Sequence, residues 1–108
     1  EYGGNCGRIP DGTTMRRELD AFLAPVERAY GKPALLYVTP EFLAAYREDL
    51  PARALWRRSL LRAPDAAAPW RLWQYHNRGA VDGIAGPVDM NVFAGDAAAF
   101  ARWRAKAP

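Results

Sequence analysis

Cysteine and histidine are almost absent from this sequence, and their scarcity excludes several kinds of site. Cys6 is the only cysteine and His76 is the only histidine among 108 residues. A single cysteine cannot form an internal disulfide, and one residue of each type is too few for a zinc site of the usual Cys/His kind. We therefore expect no metal centre within this chain.

Long hydrophobic runs are also missing. No stretch approaches the roughly 20 apolar residues that a membrane helix needs. We therefore expect no membrane insertion. No secretory signal is visible either. The first residues are Glu1-Tyr2-Gly3-Gly4 and no initiator Met precedes them. We interpret this beginning as a cut within a longer protein.

The composition that remains fits one small globular domain. Half of the residues are hydrophobic and a quarter are charged, which is ordinary for a domain with its own core. The net charge is +3, and most of the cations are arginines. This modest excess suits an anionic partner such as a bacterial wall or a nucleic acid, but it specifies neither.

The spacing of apolar residues predicts a helix near the start of the chain. Residues 15–30 place their apolar side chains on one face of a helix. Thr13 or Thr14 is the predicted N-cap and Gly31 the predicted stop. Pro25 lies inside this pattern and should kink or split the helix, because it removes a hydrogen bond and clashes with the preceding turn.

A buried strand and a second helix are predicted next. Residues 34–38 form a short apolar run, which is typical of a strand buried on both faces in a parallel sheet. The order Thr39-Pro40-Glu41 then has the character of a helix start. This helix should run to about Glu48.

Three more strands and a final helix complete the predicted order. The strands are expected in the centre of residues 54–61, at residues 70–75 and at residues 88–92. Gly95-Asp96 should cap a helix that runs through Arg104. Alternation of helices and strands favours a parallel α/β sheet in one domain, and no internal repeat is visible.

The stretch from residue 72 to residue 93 combines residue types that suit a carbohydrate site. It contains a Trp-Gln-Tyr strand, a glycine-rich loop and a second strand that holds one carboxylate, Asp89. Aromatic faces stack on sugar rings, amides bond to hydroxyl groups, and an acid at a strand end can take part in chemistry.

This block resembles the C-terminal part of glycoside hydrolase family 25, the muramidases often called Chalaropsis-type lysozymes. The family commonly ends in WQY, a variable turn, V-x-G-I-x-G and V-D-[LM]-N-x-F. The chain has Trp73-Gln74-Tyr75, then Val81-Asp82-Gly83-Ile84, and then Val88-Asp89-Met90-Asn91-Val92-Phe93. The resemblance implies an α/β fold, namely the C-terminal half of a (β/α) TIM-like barrel with mostly parallel strands and intervening helices. Residues 1–108 would then be a partial catalytic domain.

The same resemblance implies a reaction and its catalytic residues. Family members are peptidoglycan hydrolases that cleave the β-1,4 bond between N-acetylmuramic acid and N-acetylglucosamine without a cofactor. Residues 1–6 look like the Glu of the family's Asp-x-Glu motif and the loop after it, so Glu1 would be the general acid. Asp89 would be a second catalytic carboxylate. The plainer alternatives are an exposed terminal Glu1 and an Asp89 that bonds to backbone at a strand end.

Four further residues are candidates for binding substrate: Tyr37, Trp73, Gln74 and Asn91. For the aromatic residues, core packing is the alternative. Trp73 and Gln74 are adjacent on a strand and point to opposite faces, so they can line one pocket only if the strand twists or bulges. Asn91 should point the same way as Asp89.

The expected partners are bacterial cell-wall peptidoglycan and the missing N-terminal half of the same domain. The expected location is extracellular or in the cell envelope. A non-catalytic peptidoglycan- or glycan-binding module is the alternative. Trp interleaved with Arg raises nucleic-acid binding as a third hypothesis, but these aromatics also fit core strands, so we expect no nucleic-acid partner. Alone, the incomplete barrel should be of low stability or self-associating, and inactive because the partner Asp is absent.

Overall fold

Three helices and four strands follow one another in the part of the chain that this computed structural model describes, residues 7–65 and 69–105. No helix in these ranges is long and apolar enough to cross a lipid bilayer. The elements occur in the predicted order. They are α1 (Gly12–Tyr30), β1 (Leu35–Val38), α2 (Pro40–Tyr46), a 3₁₀ turn (Arg47–Asp49), β2 (Ala54–Arg58), β3 (Leu72–Gly79), β4 (Val88–Phe93) and α3 (Ala97–Ala105).

The four strands form one open sheet in the order β1-β2-β3-β4. The first three strands are parallel to one another, and β4 is antiparallel to β3. The connection between β3 and β4, residues 80–87, is shorter than the dozen or so residues that a parallel crossover needs. The mostly parallel α/β sheet is therefore confirmed, with one antiparallel pair that the sequence pattern did not specify.

Local signals explain most of the boundaries of α1, with two departures. Gly31 ends the helix as predicted, with a φ of 64° in the left-handed region that glycine favours. The N-cap is Asp11 rather than Thr13 or Thr14, because the Asp11 side chain accepts a 2.7 Å hydrogen bond from the Thr14 amide. The helix is not split at Pro25 and continues unbroken for 19 residues.

The third strand is longer than predicted. It reaches Gly79, so His76 lies in the strand, whereas the predicted strand ended at residue 75. The extension pairs with β4 through two register shifts, one between Gln74 and His76 and one between His76 and Gly79. An extra residue at each shift lets the strand continue past the point where simple alternation of polar and apolar residues stops.

The hydrophobic core lies between α2 and one face of β1 and β2. The helix starts as predicted, with the Thr39 hydroxyl accepting a hydrogen bond from the Phe42 amide at 3.3 Å and with Pro40 in the first turn. The core residues are Val38, Leu43 and Leu55, with Leu36, Phe42 and Leu50 packed against them. Because side chains alternate along a strand, the opposite face of β1 and β2 is left to other side chains.

A carboxylate–guanidinium pair ties α1 to the amino ends of two strands. Arg53, just before β2, donates from Nε to Oε1 of Glu27 at 2.7 Å and from Nη2 to Oε2 at 2.8 Å. The amide of Ala34, just before β1, donates to the same Oε1 at 2.8 Å. The pairing is bidentate and charge-assisted, which makes it stronger than an ordinary surface ion pair.

Glu27→Gln should lower the thermal stability of the chain by several degrees at neutral pH. The Arg53 hydrogen bond, followed by that of the Ala34 amide, lowers the pKa of Glu27 from 4.5 to about 2. Its stabilising effect is therefore complete above about pH 4.5, decreases as the pH falls and is lost near pH 2. Thermal unfolding between pH 2 and pH 7 should show the two proteins converging at low pH. Glu18→Gln, on the exposed side of α1, is the control, and its thermal stability should match that of wild type. A constant difference across this pH range would contradict the assignment.

Candidate functional site

Four side chains, one from each strand, lie together on the sheet face opposite the core. The register pairs Tyr37 with Trp56 and Gln74 with Asn91, and it pairs Trp56 with Leu72, two residues before Gln74. Register partners point to the same side of a sheet, and so do residues two apart on one strand. We call Tyr37, Trp56, Gln74 and Asn91 the amide–aromatic cluster.

Direct contacts join these four side chains in two bonded pairs. The Tyr37 hydroxyl donates to Oε1 of Gln74 at 2.7 Å, and Nε1 of Trp56 donates to Oδ1 of Asn91 at 2.8 Å. The rings of Tyr37 and Trp56 meet edge to face, with centroids 5.3 Å apart and planes at 83°. This ring contact joins the two pairs into one network that spans the sheet.

The orientation of the Asn91 amide follows from its indole partner. An indole N–H can only donate, so the oxygen of Asn91 must face Trp56. The amide nitrogen is then turned away from Trp56, and it lies 3.4 Å from the main-chain oxygen of Asp89. Asn91 therefore presents its N–H donors on the side where Asp89 lies.

Asp89 is an exposed acid beside this cluster. It is two residues from Asn91 on β4 and points to the same side of the sheet. Because β4 is antiparallel to β3, Asp89 lies toward the carboxyl ends of the parallel strands, the end at which (β/α) barrels build their active sites. It is the only acidic residue in the four strands, and its carboxylate forms no hydrogen bond or ion pair with residues 7–65 or 69–105. The group is available to an added ligand.

Trp73 lies on the opposite face from the other three binding candidates. It pairs in register with Arg57 and Val92, not with the cluster. Its Nε1 donates to the main-chain oxygen of Ser59 at 2.8 Å, and its ring contacts Trp70 and Tyr75. The first register shift in β3 comes after Gln74, which is too late to bring Trp73 onto the face that Gln74 shares with Tyr37 and Asn91.

Two further points complete the placement of the predicted residues. Glu1 lies outside the described residues. Trp56 was not among the predicted site residues, although Leu55 beside it is apolar and belongs to the core. Alternation along β2 would have assigned Trp56 to the opposite face from Leu55, but the bond to Asn91 depends on pairing across three strands.

Tyr37→Phe should destabilise the chain by about 1–3 kcal/mol, since it removes the bonding partner of a buried amide oxygen. Gln74 is only 4% exposed, so water cannot readily replace the lost hydroxyl. Urea unfolding would measure the difference. Tyr75→Phe is the matched control, because Tyr75 is exposed to the same degree, 38% against 39%, and its hydroxyl bonds to no described residue. Equal unfolding midpoints for the two variants would show that the Tyr37 bond contributes nothing to stability.

Two clefts flank the sheet at its opposite ends. The larger, about 710 Å³, lies at the amino ends of β1 and β2, where Leu35, Tyr30 and Trp103 line it. The smaller, about 440 Å³, lies at the carboxyl ends of the same strands and is lined by Pro40, Glu41, Arg58 and residues 59–62. The larger cleft lies at the end of the strands opposite to Asp89, so its size does not make it the site of the chemistry.

Comparison with known proteins gives relatives that are longer than this chain. No protein-family model matches. The sequence is 39% identical over 87 residues to the uncharacterized protein YegX of Escherichia coli (strain K12). The aligned region covers 75% of this chain and 31% of that protein. The chain therefore spans about a third of the length of the curated relatives that it matches.

Solved structures match over most of the chain. A family 25 glycosyl hydrolase from Bacillus anthracis has a TM-score of 0.79 and 31% identity, covering 94% of this chain and 50% of that chain. A bacterial lysozyme from Streptomyces coelicolor has a TM-score of 0.72 and 23% identity, and the match covers 91% of this chain and 50% of the lysozyme chain. The spore cortex lytic enzyme SleM of Clostridium perfringens has a TM-score of 0.68 and 20% identity, and the match covers 85% of this chain and 35% of the SleM chain. The last two show a shared fold.

Proposed function

Because the chain belongs to the family 25 glycosyl hydrolases and spans about half of such a domain, we propose that it is part of a peptidoglycan hydrolase. The proposed reaction is that of an N-acetylmuramidase, or lysozyme, which cleaves the β-1,4 bond between N-acetylmuramic acid and N-acetylglucosamine. The observation that carries this proposal is the amide–aromatic cluster with the exposed Asp89 beside it, at the carboxyl ends of the strands.

In the proposed mechanism Asp89 supplies negative charge to the reacting sugar. Glycoside hydrolysis passes through a transition state in which the sugar ring carries positive charge, and one carboxylate must stabilise that charge while another carboxyl group protonates the leaving oxygen. Asp89 is exposed and has no partner among the described residues, so it can approach a sugar without first breaking an ion pair.

The cluster provides the contacts that hold a sugar in this position. One N–H of Asn91 donates to the main-chain oxygen of Asp89 at 3.4 Å, and the other suits a sugar hydroxyl or the carbonyl of an N-acetyl group. Tyr37 is 39% exposed, and its ring offers an apolar face to a sugar ring. Trp56 fixes both of these groups, through its hydrogen bond to Asn91 and its ring contact with Tyr37.

We assign the general acid to Glu1 on the resemblance of residues 1–6 to the family motif. The remaining parts of the site would come from the N-terminal half of the same domain, which is the proposed partner of this chain. The substrate lies in the bacterial wall, so we place the whole protein outside the cell or in the cell envelope.

A non-catalytic glycan-binding module is the second candidate. One observation favours it, namely that the four strands contain a single carboxylate, whereas hydrolysis requires two carboxyl groups. Aromatic rings and amides are sufficient to bind sugar without turnover.

The two candidates can be distinguished with purified bacterial walls as the substrate. Two proteins are compared, namely this chain alone and this chain joined to the N-terminal half of the domain. We expect the joined protein to release soluble fragments and the chain alone to release none. Retention of the joined protein on the walls without product would favour the binding module. Neither retention nor product would contradict both candidates.

A further inference from the structure

We propose that Arg58 forms a carboxylate-binding subsite beside the sugar site, for an acidic group carried by a muramyl residue or by its peptide. The inference rests on the proposed function, because it assigns one more contact to the same substrate. It adds a determinant that would favour acidic wall glycans over neutral polymers of N-acetylglucosamine.

Arg58 lies on the same side of the sheet as the amide–aromatic cluster. It follows Trp56 by two residues and pairs in register with Gln74, and neighbouring strands are about 4.8 Å apart. The preceding Arg57 points to the other side, is only 7% exposed, and donates to the main-chain oxygen of Asp65 at 3.0 Å. Of this arginine pair, Arg58 is the one that faces the site.

The guanidinium of Arg58 is not paired with a carboxylate among the described residues. Arg16, Arg17, Arg47, Arg53 and Arg57 each form an ion pair with a carboxylate, whereas Arg58 forms no hydrogen bond or ion pair with residues 7–65 or 69–105. It is half-buried, so the bound partner would be shielded from water on one side. A guanidinium in this position pairs with a carboxylate through two parallel hydrogen bonds.

The cleft around Arg58 has the size and the charge for an acidic substituent. Its volume is about 440 Å³, and Arg58, Arg62 and Glu41 are its charged lining residues. Glu41 is ionised, because its main-chain amide and the Thr39 hydroxyl, with a smaller effect from Arg58, lower the pKa of its carboxyl group. Two guanidinium groups against one carboxylate leave a net positive charge for a ligand.

The test is a calorimetric titration, with three ligands, of the protein that joins this chain to the N-terminal half of the domain. The first is the neutral N-acetylglucosamine disaccharide. The second is the N-acetylglucosamine–N-acetylmuramic acid disaccharide with a free lactyl carboxylate. The third is the same disaccharide with that carboxyl amidated by a dipeptide that carries its own carboxylate. The second and third ligands distinguish the muramyl residue from its peptide as the source of the acidic group.

Arg58→Gln should weaken binding of at least one acidic ligand about 10-fold or more, since hydrogen bonds to a charged group are the stronger class. Binding of the neutral disaccharide should change by less than about 2-fold. The affinity of Arg58→Lys for the acidic ligands should lie between those of wild type and Arg58→Gln, because lysine keeps the positive charge but lacks the planar guanidinium group. Arg28→Gln, an exposed arginine in the last turn of α1, is the control and should match wild type with every ligand.

Salt dependence of ligand binding by the wild-type joined protein tests the same idea without a variant. Affinity for the acidic ligand should fall between low and physiological ionic strength, while affinity for the neutral ligand stays constant. Equal effects of Arg58→Gln on neutral and acidic ligands, or no effect on either, would overturn the subsite and leave the sugar site intact. A wild-type joined protein that binds none of the three ligands would contradict the sugar site itself, and the subsite with it.

Discussion

Asp89→Asn is expected to slow wall hydrolysis at least about 100-fold in the protein that joins this chain to the rest of the barrel. Asparagine has nearly the same shape and can still accept a hydrogen bond, but it lacks the negative charge that stabilises the positively charged sugar ring. The initial rate at which a suspension of purified walls clears measures the effect. Glycan binding should survive, because the side chains of the amide–aromatic cluster are unchanged.

The matched control is Asp20→Asn, which makes the same chemical change in an exposed ion pair with Arg16 on α1. We expect its clearing rate to stay within about 2-fold of wild type, since exposed pairs contribute little. The thermal midpoint of Asp89→Asn should also equal that of wild type, because the carboxylate has no partner among the described residues. A wild-type clearing rate in Asp89→Asn would remove this residue from the mechanism.

Glu1→Gln is expected to have the other large effect, a loss of about 100- to 10,000-fold in the same joined protein, the range that a positioned general acid contributes. Its glutamine amide cannot donate the proton that the leaving oxygen requires. An aryl glycoside with a good leaving group separates the two roles, because such a group departs without protonation. The hydrolysis rate of Glu1→Gln should fall much less on this substrate than on walls, whereas the rate of Asp89→Asn should fall on both substrates.

Glu18→Gln is the control for this second change and should retain wild-type rates, since Glu18 is exposed and pairs only with Arg17 at the surface. Equal losses of Glu1→Gln on walls and on the aryl glycoside would contradict the role of general acid. A wild-type rate on walls would show that the resemblance of residues 1–6 to the family motif does not extend to function.

Local signals in the sequence were enough to place the elements of this fold. Glycine after α1 and the Thr-Pro pair before α2 act within one turn of the chain, and both were confirmed. The N-cap of α1 was wrong by two or three residues, because Asp11, Thr13 and Thr14 are all competent caps and only the path of the incoming loop decides among them. The direction of β4 follows from the length of a connection and not from residue type.

The site was less predictable because it depends on register. Alternation along one strand separates Trp73 from Gln74 in any register, but only the pairing of four strands brings Tyr37, Gln74 and Asn91 to one face. The bond from Trp56 to Asn91 joins residues 35 positions apart and has no local signature in the sequence. Arg58 likewise has no local signature as a binding residue, since its neighbour Gln74 lies on another strand.

The chemical identity of newly formed reducing ends tests the central claim most directly. Purified peptidoglycan is treated with the joined protein, and the soluble products are reduced with borohydride and analysed by mass spectrometry. The proposed reaction leaves N-acetylmuramic acid at every new reducing end, and Asp89→Asn should leave almost none. New reducing ends that carry N-acetylglucosamine, or no new ends from a protein that binds the walls, would contradict the assignment as a muramidase.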